Sequence, residues 1–342
     1  MLGGWRALIA RAYFGDIAAL AVGCYEVPMG GVTSHGLVLH DGRLVLCDQL
    51  HLSEDSIAEA RLYGAVLEKQ RPARVIDGTV VSLAGPGHLI YGHWLVDFLP
   101  KLFVLSRLGM DPLSLRYLLP ANTPRFALEW LHLLGFQDDQ LISYSPYEEI
   151  VAAERLIVPT LTRTSSRTHP LFGEAARYLL DLVRSRGRLP DVGGSGRLLI
   201  SRAAAGRDGR FMVNRTEVEQ MVVDAGFTPV RPEALPLAEQ VALFAAARQI
   251  IGEYGSGLHG SMFSPPGTFV CAFRAAALHP GFLQSGLCQA LDQKIGYVLG
   301  DAEDHAIQQE FAVEPEDVRW ALRMLSMDAS VADDSGRPSG GT

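Results

Sequence analysis

The chain of 342 residues has few cysteines and little positive charge. Its four cysteines form no C-x-x-C pair and no Cys/His spacing typical of a metal site, so we expect them to be reduced and buried: Cys24, Cys47, Cys271 and Cys288. The 30 Lys and Arg residues are outnumbered by 38 Asp and Glu, which gives a formal net charge of -8. Outside one short arginine-rich stretch no basic stripe with interleaved aromatic residues occurs, so nucleic acid is not expected as a partner.

The apolar N-terminal stretch is interrupted by Asp16 and Glu26, so it predicts neither a membrane span nor a signal peptide. Residues 2–14 fit a helix packed on the N-terminal domain, and the alternative is an amphipathic helix lying on a membrane surface. We therefore expect a cytoplasmic protein and leave open a peripheral association with the inner face of the cell membrane.

Length and composition favour two domains. With 48% hydrophobic residues, 342 residues can bury two ordinary cores. We predict an N-terminal domain at 1–190, beginning with a β-hairpin that turns at Asp41 and Gly42, and a C-terminal domain at 197–312. A helix at 313–327 is expected to cross back to the first domain, and the Ser-, Gly- and Asp-rich residues 328–342 are predicted to be disordered.

Apolar strands and amphipathic helices alternate between residues 198 and 273. The strands are predicted at 198–201, 227–230, 249–252 and 268–273, with helices beginning after Asn214 and at Pro236. Strands separated by helices of this length imply a parallel sheet with right-handed crossovers. Ligands of such sheets bind outside the carboxyl ends of the strands, so the turns at 201–210 and 252–260 should share one rim.

Both turns have a composition suited to an anion. Five arginines fall within one short stretch: Arg197, Arg202, Arg207, Arg210 and Arg215. Guanidinium groups match phosphate oxygens in pairs, and backbone N–H groups of a glycine turn before a helix add partial positive charge. The stretch therefore indicates a phosphate or diphosphate site, with a solvated basic loop as the alternative.

Gly255, Gly257 and Gly260 spell G-x-G-x-x-G, the pattern of dinucleotide-binding turns. In those proteins the turn lies in the first strand–helix unit, and an acidic residue about twenty positions later holds the ribose. Here the turn comes late, and no Asp or Glu occurs between Glu253 and Asp292. We therefore reject NAD binding and expect close approach to another ligand or a tight turn.

A second informative segment begins at His93. It predicts a helix kinked at Pro100, in which six apolar residues are buried: Trp94, Leu95, Phe98, Leu99, Leu102 and Leu105. His93 and Asp97 are four residues apart and share a face, so the carboxylate can orient the imidazole as a general base needs. A plain charge pair on a helix surface has the same spacing.

Six short segments follow one another along the chain: H-W-L-x-D-x-L-P at 93–100, I-S-R at 200–202, R-x-x-x-N-x-x-E-V at 210–218, E-Q-V-x-L-F-x-x-A at 239–247, G-x-G-L at 255–258 and F-x-P-P-G-T at 263–268. In this order and spacing they resemble glycosyltransferase family 61. The resemblance covers roughly residues 30–300.

The resemblance implies an α/β fold of the GT-B type, with two Rossmann-like domains facing a cleft. It also implies an inverting transfer from a nucleotide sugar to a glycan acceptor, with no obligatory metal or cofactor. By position, Ser201, Arg202, Arg210 and Asn214 would lie near the diphosphate. Glu239 and the turn Gly255-Ser256-Gly257 would lie near the nucleotide. Exopolysaccharide or capsule synthesis is the role that bacterial relatives suggest.

Two residues depart from the family pattern. Arg215 stands where relatives usually have Glu, and Tyr254 stands where they have His before the glycine turn. Both changes fall in the expected donor pocket, where His259 either supplies the missing imidazole or caps a helix. We expect His93 to be the base, oriented by Asp97, with Asp97 acting directly as the alternative. Arg202 and Arg210 would stabilise the leaving group.

Two other functions stay open. Gly257-Leu258-His259-Gly260 is similar to the Leu-His-Gly turn of polysaccharide pyruvyltransferases, which have a GT-B-like fold and an arginine-rich pocket. The departures at Arg215 and Tyr254 fit a protein that binds a nucleotide sugar or a glycan without turnover. On the acceptor side, Arg163, Arg167 and His169 either meet an anionic glycan or face water.

Overall fold

The computed structural model describes residues 21–52, 54–63, 72–193, 196–202, 210–276, 282–302 and 309–335. They divide into two compact units with a boundary between Leu189 and Pro190, at the end of the range predicted for the N-terminal domain. The residues predicted to form an N-terminal helix, 2–14, lie outside the described residues. Within the described ranges, no helix has the length and apolar character needed to cross a bilayer.

The N-terminal unit is built on a mixed seven-stranded sheet, in the order β3-β2-β1-β7-β4-β5-β6. Its strands are β1 (Cys24–Thr33), β2 (Leu37–His40), β3 (Arg43–Leu44), β4 (Arg74–Ser82), β5 (Arg116–Pro120), β6 (Leu141–Tyr144) and β7 (Val151–Pro159). Strands β7, β4, β5 and β6 are parallel, whereas β1, β2 and β3 pair antiparallel. The predicted turn is present, with positive φ at Asp41 and Gly42.

Helices and one small hairpin complete this unit. The helices are α1 (Glu54–Tyr63), α2 (Tyr91–His93), α3 (Pro100–Arg107), α4 (Arg125–Leu134) and α5 (Leu171–Ser185). A two-stranded hairpin, β8 (Arg163–Thr164) and β9 (Arg167–Thr168), follows β7. The sheet packs one apolar core around Val32, Val80, Leu118 and Leu156.

The C-terminal unit has a second seven-stranded sheet, in the order β11-β16-β15-β14-β13-β10-β12. Its strands are β10 (Arg197–Ile200), β11 (Arg210–Met212), β12 (Thr228–Val230), β13 (Gln249–Glu253), β14 (Phe269–Ala275), β15 (Lys294–Ala302) and β16 (Gln309–Ala312). Its helices are α6 (Arg215–Asp224), α7 (Leu237–Ala246), α8 (Leu283–Ala290) and α9 (Pro315–Ser335). The four predicted strands correspond to β10, β12, β13 and β14, and they are parallel as expected. Both sheets are rich in parallel pairs, which is consistent with a Rossmann-like α/β fold.

Three strands of this sheet have no counterpart among the sequence predictions: β11, β15 and β16. Strand β15 contains Gly296 and Gly300, which interrupt the apolar pattern that predicts a strand. Gly300 is needed because a Cβ there would overlap the backbone of Ala312 on the antiparallel strand β16. Close approach of two backbones therefore explains a glycine that looks like a strand breaker.

The last helix packs on the C-terminal unit. Val318, Ala321 and Leu325 of α9 lie in the core of that unit. Its return to the first domain stays a prediction. The helix also continues to Ser335, whereas disorder is predicted from residue 328. Residues 336–342 lie outside the described residues.

The cysteines agree with the prediction in part. All four are free, and Cys271 and Cys288 are buried, which raises the pKa of each thiol to about 12. Cys24 and Cys47 are only partly buried.

Candidate active site

The segment that carries His93 is an irregular helix. After one α-helical turn in α2, residues Trp94–Phe98 form a π-helical turn in which the Leu99 N–H donates to the Trp94 carbonyl at 2.9 Å. Pro100 then begins α3, where a missing N–H costs nothing. The irregularity predicted at Pro100 therefore takes the form of a π turn, a feature frequent at functional sites. All six apolar residues predicted to be buried in this segment are buried.

His93 and Asp97 meet as predicted. The His93 Nδ1 lies 2.6 Å from Asp97 Oδ2, and the two side chains differ sharply in exposure, at 31% for His93 and 1% for Asp97. The imidazole lies against Gly87, where an added Cβ would be 2.8 Å from the ring. Gly87 has a φ of 85°, a conformation that also favours glycine. The glycine before this helix therefore makes room for the His93 ring.

Arg163 completes a group of three with these two residues. Its Nε and Nη2 donate to the two carboxylate oxygens of Asp97 at 2.6 and 2.7 Å, and its Nη1 donates to the Ser165 carbonyl at 2.8 Å. The expectation that Arg163 faces water is wrong, because its side chain is 8% exposed and bound to Asp97. Burial alone would raise the pKa of Asp97, but Arg163 and His93 outweigh burial and hold that pKa well below its ordinary value.

His51 and Lys101 are further titratable groups around Asp97. Burial lowers the pKa of His51 to about 4, with Asp97 as the largest opposing influence. Lys101 is 3% exposed and donates to the Leu83 carbonyl at 2.9 Å, and burial lowers its pKa to about 8. Sequence reasoning missed both. Lys101 leaves a signal, a cation at the start of an apolar run, whereas His51 comes from a distant segment and leaves none.

In the C-terminal unit, the turns after β10 and β13 share one rim as predicted. Arg202 donates to the Tyr254 carbonyl at 3.4 Å, and its guanidinium lies so close to Gly255 that an added Cβ would be 2.5 Å from it. Ser201 precedes it, buried, with its N–H on the Val230 carbonyl at 2.9 Å. Ser256 begins a 3₁₀ helix, Ser256–Phe263, directly after the turn. An arginine and the start of a helix thus meet here, as an anion site requires.

Arg215 pairs with Glu253 beside this rim. The guanidinium donates to both carboxylate oxygens, Nη2 to Oε2 at 3.2 Å, and Nη1 reaches the Arg202 carbonyl at 3.3 Å. It also lies over the Phe211 ring, 4.7 Å from the centroid. Both side chains are nearly buried. The charge of Arg215 is therefore compensated inside the protein by Glu253, at the end of the strand that leads into the glycine turn.

Of the remaining residues predicted to bind the sugar donor, Asn214 and His259 contact other parts of the protein. The Asn214 amide donates to the Val313 carbonyl at 2.8 Å and accepts from the Val313 N–H, so it joins α6 to the segment after β16 instead of capping its helix. His259 is buried and its Nδ1 lies 2.9 Å from Gln284 Oε1, inside the unit. Glu239 is half-buried in the first turn of α7. Arg207 lies outside the described residues, and of Arg210 only the backbone, in β11, is described.

The other two glycines of the G-x-G-x-x-G pattern serve packing. A Cβ at Gly260 would lie 2.1 Å from the Phe244 ring, and one at Gly257 would lie 3.0 Å from the Ile200 side chain. Helix α7 and strand β10 therefore require small residues at these positions. This packing accounts for the pattern without a dinucleotide.

Comparison with protein families agrees with the resemblance. The family model described as Glycosyltransferase 61 matches residues 91–271, more than half of the chain, a range that includes both His93 and the Arg202 rim. The chain therefore belongs to glycosyltransferase family 61. A glycosyltransferase in general takes a sugar from a donor, commonly a nucleotide sugar, to an acceptor such as a glycan. Comparison with curated proteins gives no match.

Proposed function

We propose that the protein is an inverting glycosyltransferase of the GT-B class, which transfers a sugar from a nucleoside-diphosphate sugar to a glycan acceptor without a metal ion, in bacterial exopolysaccharide or capsule synthesis. The N-terminal unit would act on the acceptor and the C-terminal unit would bind the donor. We further propose that it works in the cytoplasm. One observation carries the proposal: a partly exposed imidazole, His93, is held by a fully buried carboxylate, Asp97.

This geometry favours His93 over Asp97 as the base. Both Asp97 oxygens are occupied by Arg163 and His93, and the carboxylate is 1% exposed, so an acceptor hydroxyl cannot reach it. An ionised Asp97 only accepts, so Nδ1 of His93 carries the hydrogen and Nε2 is the nitrogen that takes a proton. The acceptor oxygen would lose its proton to Nε2 while it bonds to the anomeric carbon, as the bond from that carbon to the diphosphate oxygen breaks.

Charge builds up on the leaving diphosphate during this step. Arg202 and the N–H groups at the start of the 3₁₀ helix are the groups of the rim that would stabilise it. Arg215 would act indirectly, because its charge is engaged by Glu253. Among the described residues, no three His, Cys, Asp or Glu side chains converge on a common point as metal ligands.

The test is a panel of donors. The full chain would be incubated with UDP-, GDP-, CDP- and dTDP-sugars and with phosphoenolpyruvate, with and without EDTA, while thermal unfolding and release of the nucleoside diphosphate are recorded. We expect one nucleotide sugar to raise the melting temperature and to be turned over in EDTA. Stabilisation by phosphoenolpyruvate would favour a pyruvyltransferase, and donor binding without turnover would favour a binding protein.

A further inference from the structure

The Asp97 carboxylate is shared between two partners, His93 and Arg163. Arg163 donates one hydrogen bond to each carboxylate oxygen, and His93 Nδ1 forms a further hydrogen bond with Oδ2. The planar guanidinium fork fixes the plane of the carboxylate, which a single hydrogen bond would not do. The direction of the Oδ2 lone pair toward Nδ1 is therefore set by Arg163.

Arg163 is itself held in place. Its third nitrogen, Nη1, donates to Ser165 in the turn between β8 and β9, and Ser165 has a φ of 54°. This left-handed conformation turns the Ser165 carbonyl back toward the arginine of its own hairpin. The short hairpin thus serves as the support for a guanidinium that is 8% exposed.

The charges around His93 also depend on Arg163. Asp97 and Arg163 carry opposite charges and compensate each other, and the other titratable groups within electrostatic reach of Asp97 are His51 and Lys101. Arg163 therefore neutralises the Asp97 carboxylate at hydrogen-bond distance as well as fixing its plane.

We propose that Arg163 is a positioning residue for the base: it fixes the Asp97 carboxylate so that the His93 ring carries its hydrogen on Nδ1. The proposal rests on the proposed function for its catalytic meaning. The arrangement itself can be measured without any substrate.

The experiment is nitrogen NMR of histidine-labelled full chain, in the wild type and in Arg163→Met, Arg163→Lys and Arg167→Met. Arg167 lies on the opposite strand of the same hairpin and is the matched control. In Arg163→Met we expect the His93 signals to show a mixture of the Nδ1–H and Nε2–H forms in place of the single Nδ1–H form. Arg163→Lys keeps the charge but not the fork, so it should also disturb the tautomer. Arg167→Met should resemble the wild type.

An unchanged His93 signal in folded Arg163→Met would overturn the proposal. If that variant does not fold, Arg163→Lys decides by its tautomer alone. The proposed function can fail independently, because a protein with no transfer activity would still show the change of tautomer in Arg163→Met. Conversely, transfer dependent on His93 with no change in the NMR signals would refute only the role of Arg163.

Discussion

The guanidinium of Arg215 and the carboxylate of Glu253 form a buried two-point ion pair that joins the start of α6 to the end of β13. Removal of one partner leaves an uncompensated buried charge, which typically costs about 3–5 kcal/mol. We expect Arg215→Met to lower the free energy of unfolding by that order, measured by urea denaturation. The double variant Arg215→Met/Glu253→Met should regain much of the loss.

A surface pair provides the control for this prediction. Arg125 and Glu129 are 92% and 46% exposed, so Arg125→Met should cost less than about 1 kcal/mol. If Arg215→Met costs no more than Arg125→Met, the pair is not the structural element that its burial indicates.

Asn214 is predicted to stabilise the fold and not to hold the diphosphate. Its amide bridges to both backbone groups of Val313, so Asn214→Ala should cost about 1–3 kcal/mol of stability by leaving them unpaired. Donor affinity, measured by calorimetry at a temperature where the variant is folded, should stay within about twofold. A stable variant with greatly weakened donor binding would support the diphosphate contact that the family resemblance implies.

Gly87→Ala should disable His93 without unfolding the protein. The new Cβ would lie 2.8 Å from the imidazole, which must then move away from Asp97. Gly109→Ala is the matched control, because Gly109 has a similar φ of 78° with nothing within 4 Å. Both variants should lose about 1–2 kcal/mol through backbone strain, and only Gly87→Ala should lose transfer activity. Equal activities of the two variants would show that this contact does not matter.

Acid should destabilise the N-terminal unit through buried histidines. His88 is fully buried with its Nδ1 unpartnered among the described residues, and burial lowers its pKa to about 4. The unfolded chain therefore binds more protons between about pH 6.5 and 4, so stability falls as the pH drops through this range. Burial also lowers the pKa of His51, so its contribution to stability falls with decreasing pH in the same way.

His88 alone should remove about 1–2 kcal/mol between pH 7 and 5. His88→Gln should flatten this slope in urea titrations, while the exposed His40→Gln variant should keep it. A slope that His88→Gln leaves unchanged would mean that His88 is not the group that takes up the proton.

Local patterns in the sequence predicted the parts of the fold and the site that depend on neighbouring residues. His93 and Asp97 lie four residues apart on one short helix, and the rim of Arg202 and Gly255 follows from the order of parallel strands. Arg163 and Glu253 reach their partners across 66 and 38 residues, so no local spacing reveals these contacts. Asn214 shows the converse, since its capping position is right but its side chain is drawn to Val313 by tertiary packing.

The central claim is that His93 acts as the base, and the sharpest test compares it with a second histidine–carboxylate pair of the same chain. His132 and Asp138 lie 2.8 Å apart on the surface, with exposures of 47% and 91%. Transfer rates would be measured for His93→Ala and His132→Ala with the donor identified by the panel. We predict a loss of about 10²–10⁴-fold for His93→Ala, with donor affinity unchanged, and no loss for His132→Ala. A folded His93→Ala variant that transfers sugar at the wild-type rate would contradict the account.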